Sequence, residues 1–300
     1  MGDSVPESGG ARIGVAITTV GRWPALRELL GDLAAQTHPP QVVGIAHHDA
    51  AQSAELAAVV APFADTLQIR TVVSPRGISN GRNAAAAVIA GDVDWLWFPN
   101  DTSRVDRDFL ERIGRHCRPP TTVVAVQLVD REGPRNPLPA PGTEPNRRTV
   151  WGAMEPATLL RRDAFEAVGG WNLAFGSGAD TPWQSGEGPD LLLRMAERGD
   201  LSVAWVGDIV VHAQTEFAHL PPQERRRKQR SYGRGAGYVL RTWNYPLWYK
   251  AAHLVAAALM PIRNPKKFGV GEGFALLIGR TEGVLGRTFS NKEDNRAILR

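Results

Sequence analysis

Residues 76–102 read RGISNGRNAAAAVIAGDVDWLWFPNDT. Gly77 to Asn80 form a turn signal, Arg82 to Ala90 is an alanine-rich helix, and Trp95 to Phe98 is a short apolar run that stops at Pro99-Asn100-Asp101. A helix leading into a buried strand, and the strand into polar residues, is the repeating unit of an α/β sheet. Upstream, Ile13 to Ile17 reads as a buried strand, and a helix starts near Pro24 with Leu26, Leu29, Leu30 and Leu33 at helical spacing. Pro39-Pro40 stops the chain, Val42 to Ala46 is a second strand, Glu55 to Val60 is helical and Leu67 to Val73 is a third strand. Downstream, Asp106 to Arg115 is helical, with Phe109, Leu110 and Ile113 facing inward, and Val123 to Val129 is a further strand.

The order predicts an α/β fold: a mostly parallel central sheet with helices on both faces. Beyond a polar, proline-rich loop at 131–148, a short strand is expected at Thr158 to Leu160 and a helix at Asp163 to Val168, closed by Gly169-Gly170. The Gly-rich segment Asn172 to Gly186 reads as a lid. A helix over Asp190 to Arg198 and a last strand over Val203 to Val211, ending at His212, complete the domain. Ligands of such sheets lie beyond the carboxyl ends of the strands. That rule gathers Thr18-Thr19, Asp49, Arg76-Gly77 and Asn100-Asp101.

The organisation expected is a frayed start over residues 1–10, one domain over 11–220 and a basic amphipathic helical tail over 221–300. The start lacks the apolar centre of a signal peptide, and no apolar run approaches the ~18 residues of a membrane span. Of 300 residues, 43% are hydrophobic and 22% charged, ordinary for a globular protein. A single cysteine, Cys117, excludes an internal disulfide and a Cys-rich zinc site. The expected location is cytoplasmic, with a peripheral place at the inner face of the membrane.

The net charge of +4 conceals an asymmetry: residues 221–300 hold 16 Lys and Arg against 5 Asp and Glu, and the rest holds 19 against 26. The tail carries the run Arg225-Arg226-Arg227-Lys228 and two amphipathic helices, Leu247 to Met260 and Phe274 to Leu285. With Trp243, Tyr245, Trp248 and Tyr249 beside them, they read as a membrane-surface anchor. Self-association as a homo-oligomer is the competing reading, and no nucleic-acid motif accompanies the charge.

There is no P-loop, no H-E-x-x-H and no G-x-G-x-x-G after the first strand. Gly233-x-Gly235-x-Gly237 lacks the right third glycine and follows a basic run instead of a strand. What is present is a succession. Thr18-Thr19-Val20-Gly21-Arg22 comes first, then Asp49, then Gly77-Ile78-Ser79-Asn80-Gly81-Arg82-Asn83, then Phe98-Pro99-Asn100-Asp101. Gly169-Gly170-Trp171, Gly186-Glu187-Gly188-Pro189-Asp190 and Val210-Val211-His212 follow. From about Ile13 to His212 this resembles glycosyltransferase family 2, inverting enzymes with the GT-A fold.

The resemblance implies roles. Thr18, Thr19 and Arg22 would hold the nucleotide and Asp49 its base, with Gly77, Ser79, Arg82 and Asn83 near base and diphosphate. Asn100 and Asp101 stand at the acidic cluster that binds a divalent cation, Mn²⁺ or Mg²⁺, with His212 as a further ligand. Glu187 and Asp190 are the candidate catalytic bases. Pro99, Asn100 and Gly188 stand where the family carries acids. The expected donor is a UDP- or dTDP-sugar, and the acceptor a glycan or lipid-linked hydroxyl. A cation or arginine offsets charge on the leaving diphosphate, and a carboxylate takes the proton of the incoming hydroxyl.

Two other functions fit the residues: an inactive relative that binds nucleotide-sugar or glycan, supported by the eroded acidic motif, and a sugar nucleotidyltransferase. Each residue also has a plain structural reading. Asp101 and Asp49 are turn or capping acids, Glu187 and Asp190 open a helix, and His212 is a core histidine. Trp171 and Trp183 are candidates for an acceptor pocket, with packing under the Gly169-Gly170 turn the competitor for Trp171. His47 and His48 read as surface residues.

Overall fold

The computed structural model describes residues 10–214, 220–265 and 268–289. The expected frayed start lies, but for Gly10, outside the described residues. The strands are β1 (Ile13–Thr19), β2 (Val42–His47), β3 (Ile69–Val73), β4 (Trp95–Trp97), β5 (Arg104–Val105), β6 (Val123–Asp130), β7 (Gly133–Pro134), β8 (Thr158–Arg161) and β9 (Val203–His212). The helices of the same region are α1 (Trp23–Ala34), α2 (Ser53–Val60), α3 (Ile78–Ala87), α4 (Phe109–Gly114), α5 (Arg162–Ala167) and α6 (Glu187–Glu197). Three more follow: α7 (Pro222–Thr242), α8 (Leu247–Arg263) and α9 (Val270–Leu285).

The sheet order is β3-β2-β1-β4-β8-β6-β9-β5, with β7 paired to β6. β1 is parallel to β2 and β4, β2 to β3, and β6 to β9, while short β8 runs antiparallel between β4 and β6. The six strands β1 to β4, β6 and β9 therefore share one direction, as expected for the α/β fold. Their carboxyl ends, at Thr19, His47, Trp97 and His212 among others, lie along one edge.

The chain divides into two compact units. The first comprises Met1–Pro75, Gly81–Gly170 and Arg194–Gln214 and holds the whole sheet. The second comprises Arg76–Asn80, Trp171–Leu193 and Thr215–Arg300, so the Gly-rich segment groups with the tail helices and not with the sheet.

In the first unit, α1 buries Leu26, Leu29, Leu30 and Leu33, and β2 is buried throughout. Trp95 and Trp97 join the same core. The alanine run of α3 has a direct cause. A Cβ on Gly44 of β2 would lie 2.3 Å from the Ala85 carbonyl oxygen, so helix and sheet touch backbone to backbone. Only glycine below and alanine above allow that approach. His47, expected at the surface, is buried at the end of β2, where Nδ1 lies 3.0 Å from the Asp49 carbonyl oxygen. The backbone of the following turn satisfies its imidazole, which lets it close the strand from inside.

The second unit is helical. α7 falls in the tail expected to be helical, although Gly233, Gly235 and Gly237 weaken helix propensity. The structure uses those glycines as contact surface. A Cβ on Gly233 would meet the Leu276 carbonyl oxygen at 2.7 Å, and one on Gly237 the Arg280 carbonyl oxygen at 2.3 Å. From the other side, a Cβ on Gly279 would lie 2.0 Å from the Arg230 carbonyl oxygen and one on Gly283 2.2 Å from that of Arg234. α7 and α9 thus meet along a glycine seam. Beside it lies Glu282, fully buried, which receives Arg230 Nη2 at 2.6 Å and Arg234 Nε at 2.6 Å.

Candidate functional site

In the first unit the carboxyl edge is built around Asp101. Beyond β1, Gly21 takes a positive φ of 91°, and Arg22 caps the start of α1. Thr19 Oγ1 donates to Asp101 Oδ2 at 2.8 Å, and Arg22 Nε donates to the same oxygen at 3.2 Å. Arg22 Nη2 lies 2.9 Å from Oδ1. The Asp101 carboxylate has no solvent exposure, whereas the Arg22 side chain is 55% exposed. Burial raises the Asp101 pKa above the usual carboxylate value, while Arg22 and Thr19 pull it back.

Asn100 precedes this acid and forms a parallel bridge with Thr18. Its own turn is closed by Ser103, whose Oγ accepts from the Asn100 N–H at 3.1 Å. No sequence signal marked Ser103. Thr18 Oγ1 is shielded from solvent and has no hydrogen-bond partner among the described residues. A Cβ on Gly81 would approach it to 2.7 Å, so α3 passes directly over the end of β1. Gly81 lies inside the Gly77–Asn83 motif, but its role in close approach was not read from it.

Arg82 follows and is buried. The Asn83 side chain packs on Gly170, where a Cβ would come within 2.7 Å of its Oδ1. Asp49 is exposed and caps a short helical turn, its Oδ1 accepting from the Ala51 N–H at 3.0 Å. Thr18, Thr19, Arg22, Asp49, Asn100 and Asp101 all sit at the ends of the adjoining strands β1, β2 and β4.

His212 ends β9 opposite Arg104 of β5. Its side chain is half exposed, with Nε2 3.9 Å from Asp106 Oδ1. Among the described residues, no three His, Cys, Asp or Glu side chains gather to hold a metal ion. The expected donors are also committed elsewhere: Asp101 lies against a guanidinium, and Asn100 offers one neutral oxygen. A divalent cation at Asp101 would have to displace Arg22 or stand beside it, which charge repulsion opposes. The donor set does not fit Mn²⁺ or Mg²⁺ as arranged.

In the second unit, Gly77 and Gly176 take positive φ values of 117° and 100°. A Cβ on Gly176 would lie 2.6 Å from Ile78 Cγ2, 3.2 Å from Ser79 Oγ and 3.4 Å from Glu187 Cδ. The Gly176 backbone therefore packs directly on the Glu187 carboxyl. Ser79 Oγ donates to the Phe175 carbonyl at 2.8 Å. Glu187 is buried in the first turn of α6. Asp190, one turn on, is buried too and accepts from Trp243 Nε1 at 3.1 Å, which ties α6 to the end of α7.

Trp171 and Trp183 are 2% and 8% exposed. Trp183 stacks on Tyr238 with ring centroids 4.0 Å apart and planes within 4°. That stacking face is thus covered by a side chain of the same unit. The Gly-rich segment is held by Gln184, which accepts from the Gly178 N–H at 2.8 Å and donates to the Ala179 carbonyl at 3.0 Å. Sequence reasoning did not single out Gln184 or Tyr238.

The fold has known counterparts. S. aureus TarS 1–349 in complex with UDP-GlcNAc superposes with a TM-score of 0.53 at 13% identity, covering 93% of each chain. The mannosyltransferase PcManGT from Pyrobaculum calidifontis, in complex with GDP-Man and Mn²⁺, gives 0.56 at 13% identity, covering 95% of this chain and 90% of that one. At such identities the likeness establishes the fold, that of GT-A-like glycosyltransferases. No family model and no curated protein sequence matches the chain.

Proposed function

We propose that this chain is an inverting glycosyltransferase that moves a hexose-type sugar from a UDP- or dTDP-sugar to a hydroxyl of a glycan or lipid-linked acceptor. The observation that carries the reading is the Thr19–Asp101–Arg22 constellation at the carboxyl edge of a GT-A-like sheet. There, a half-exposed guanidinium is aimed by a buried carboxylate, which suits it to a diphosphate. Both neighbouring folds were seen with nucleotide-sugars.

In the proposed reaction the acceptor oxygen bonds to the anomeric carbon as the bond from that carbon to the diphosphate oxygen breaks. The acceptor proton passes to the Glu187 carboxylate, and the nucleoside diphosphate leaves. Glu187 is taken as the base, with Asp190, whose Oδ1 accepts from the Trp243 indole, as the alternative. Arg22 takes the growing charge on the leaving phosphate; Arg82 is a second candidate from the N-terminal turns of α3. Asp49 is proposed to meet the base of the nucleotide. No step is routed through a metal, since the donor set does not fit one.

A thermal-shift panel of nucleoside diphosphates and sugar nucleotides, with EDTA or Mn²⁺, tests the donor site, and product assays test turnover. Stabilisation by a uridine or thymidine diphosphate in EDTA, followed by transfer, supports the reading. Strict dependence on Mn²⁺ returns Asp101 and His212 to the role of ligands. Donor binding without transfer favours the inactive relative, for which the missing acids at Pro99, Asn100 and Gly188 speak.

A further inference from the structure

Among the described residues, twelve large apolar side chains stand exposed, and nine of them lie between Leu247 and Phe289. The helix α8 is the extreme case: of its seventeen residues only Ala257 is buried. At about 100° per residue, Leu247, Trp248, Val255, Leu259 and Ile262 fall within one sector of roughly 120°. Ala251, Ala252 and Ala258 fill or edge the same sector and are exposed too. The outward face of α8 is therefore apolar from end to end. The helix contains no Asp or Glu, and its two cations are Lys250 and Arg263.

The other side of α8 is accounted for. Pro261 and Ala257 pack on Gly273 of α9, and Arg280 of α9 donates to the His253 carbonyl. α9 in turn exposes Val270, Phe274 and Leu285 along its own outer stripe. Phe274, Ala275 and Ile278 form the apolar wall of a cleft of about 440 Å³ whose other wall is Arg226, Arg227 and Arg230 of α7. Hydrocarbon and guanidinium thus border one another on these helices. No helix of the described residues is long and apolar enough to cross a membrane.

We infer that α8, with the outer stripe of α9, seats this chain on an anionic phospholipid surface. α8 lies in the plane of the interface with Trp248, Val255, Leu259 and Ile262 among the acyl chains, and Arg226 and Arg227 receive headgroup phosphates. A helix apolar on one face and only some 25 Å long lies on a bilayer and does not span it. Charge selects lipid over a second copy: with 16 cations against 5 acids in residues 221–300, two copies meeting on this face would repel, whereas an anionic surface attracts. The inference is independent of the proposed transfer reaction.

The test is co-sedimentation of the full chain, without nucleotide, with vesicles of phosphatidylcholine alone or mixed with phosphatidylglycerol. Binding to the mixed vesicles, weakened by salt, is expected. Val255→Asp and Leu259→Asp should each weaken it by at least about tenfold, since each withdraws an aliphatic side chain from hydrocarbon. Both positions are exposed, so the melting temperature should not fall. Arg226→Glu with Arg227→Glu should abolish the preference for phosphatidylglycerol. Failure of the wild type to bind mixed vesicles, or unchanged binding by both aspartate variants, overturns the inference. So does a dimer in light scattering that the aspartate variants dissociate while vesicles fail to bind.

Discussion

Arg22 reaches from the surface to a carboxylate, Asp101, that solvent does not touch, its Nη2 2.9 Å from Oδ1. Seventy-nine residues separate the two in sequence. The pair has two faces: it neutralises an acid that burial would otherwise leave costly, and it holds a guanidinium still at the strand ends.

Removing the arginine exposes that cost. Arg22→Ala should lower stability by about 1–3 kcal/mol, because the carboxylate loses its charged donor. The double variant Arg22→Ala with Asp101→Asn should regain much of the loss, yet neither should transfer sugar efficiently. A fall in kcat/KM of about 10²–10³ is expected for loss of one charge-stabilising donor. Denaturant unfolding and product assays on the same three proteins separate the two effects.

The pH dependence of Asp101 has a definite sign. Burial raises its folded-state pKa above the ordinary 3.8, so between those two values the folded state holds more protons than the unfolded one. Stability then falls as pH rises through that window. Asp101→Asn removes the effect, so its melting temperature relative to wild type should climb with pH across the same range. A difference that is flat with pH would show that Asp101 titrates as in the unfolded chain.

Glu187 and Asp190 should part ways. Glu187→Gln is expected to lower kcat by about 10²–10⁴ with donor binding intact, as befits a proton acceptor. Asp190→Asn should show mainly in stability, since it disturbs the partner of Trp243. Equal loss of kcat in both, at unchanged melting temperature, would reassign the base.

The α7–α9 pair should fail in acid. Burial opposes ionisation of Glu282, but Arg230 and Arg234 hold its carboxyl below the ordinary range. Its contribution is present above the unfolded value of 4.5 and is lost as pH falls through the lower folded one. Glu282→Gln should cost about 3 kcal/mol at neutral pH, having left two arginines beside a neutral amide. Gly279→Ala should destabilise by at least about 1–3 kcal/mol by forcing a methyl against the Arg230 carbonyl. Helical circular dichroism against denaturant reads both.

Much of this molecule was legible in order of residues. Period and breakers marked β1, α1, β2, β4, β6 and β9, and strand direction alone placed Thr18, Thr19, Asp49, Asn100 and Asp101 on one edge. What stayed hidden depends on partners distant in sequence. Nothing near Asp101 says that Arg22 will cover it. β5 and β7 are two residues each and exist only through their ladders with β9 and β6. α7 lies in the tail expected to be helical, but its three glycines at alternate positions do not announce the backbone contact they make with α9. His47 reads as polar and lies inside, because a backbone carbonyl two residues on satisfies it.

The glycine seam has a mechanical consequence. Two helices that meet without interlocking side chains have little to stop one from sliding along the other. Glu282 and Glu272 supply the stop. The two oxygens of Glu282 answer Arg230 and Arg234, which stand one turn apart, and a displacement of α9 by a single turn would take that carboxylate away from one of them. The contact is smooth, and the carboxylates of Glu282 and of Glu272, the latter 3.2 Å from Arg225 Nε, fix its register.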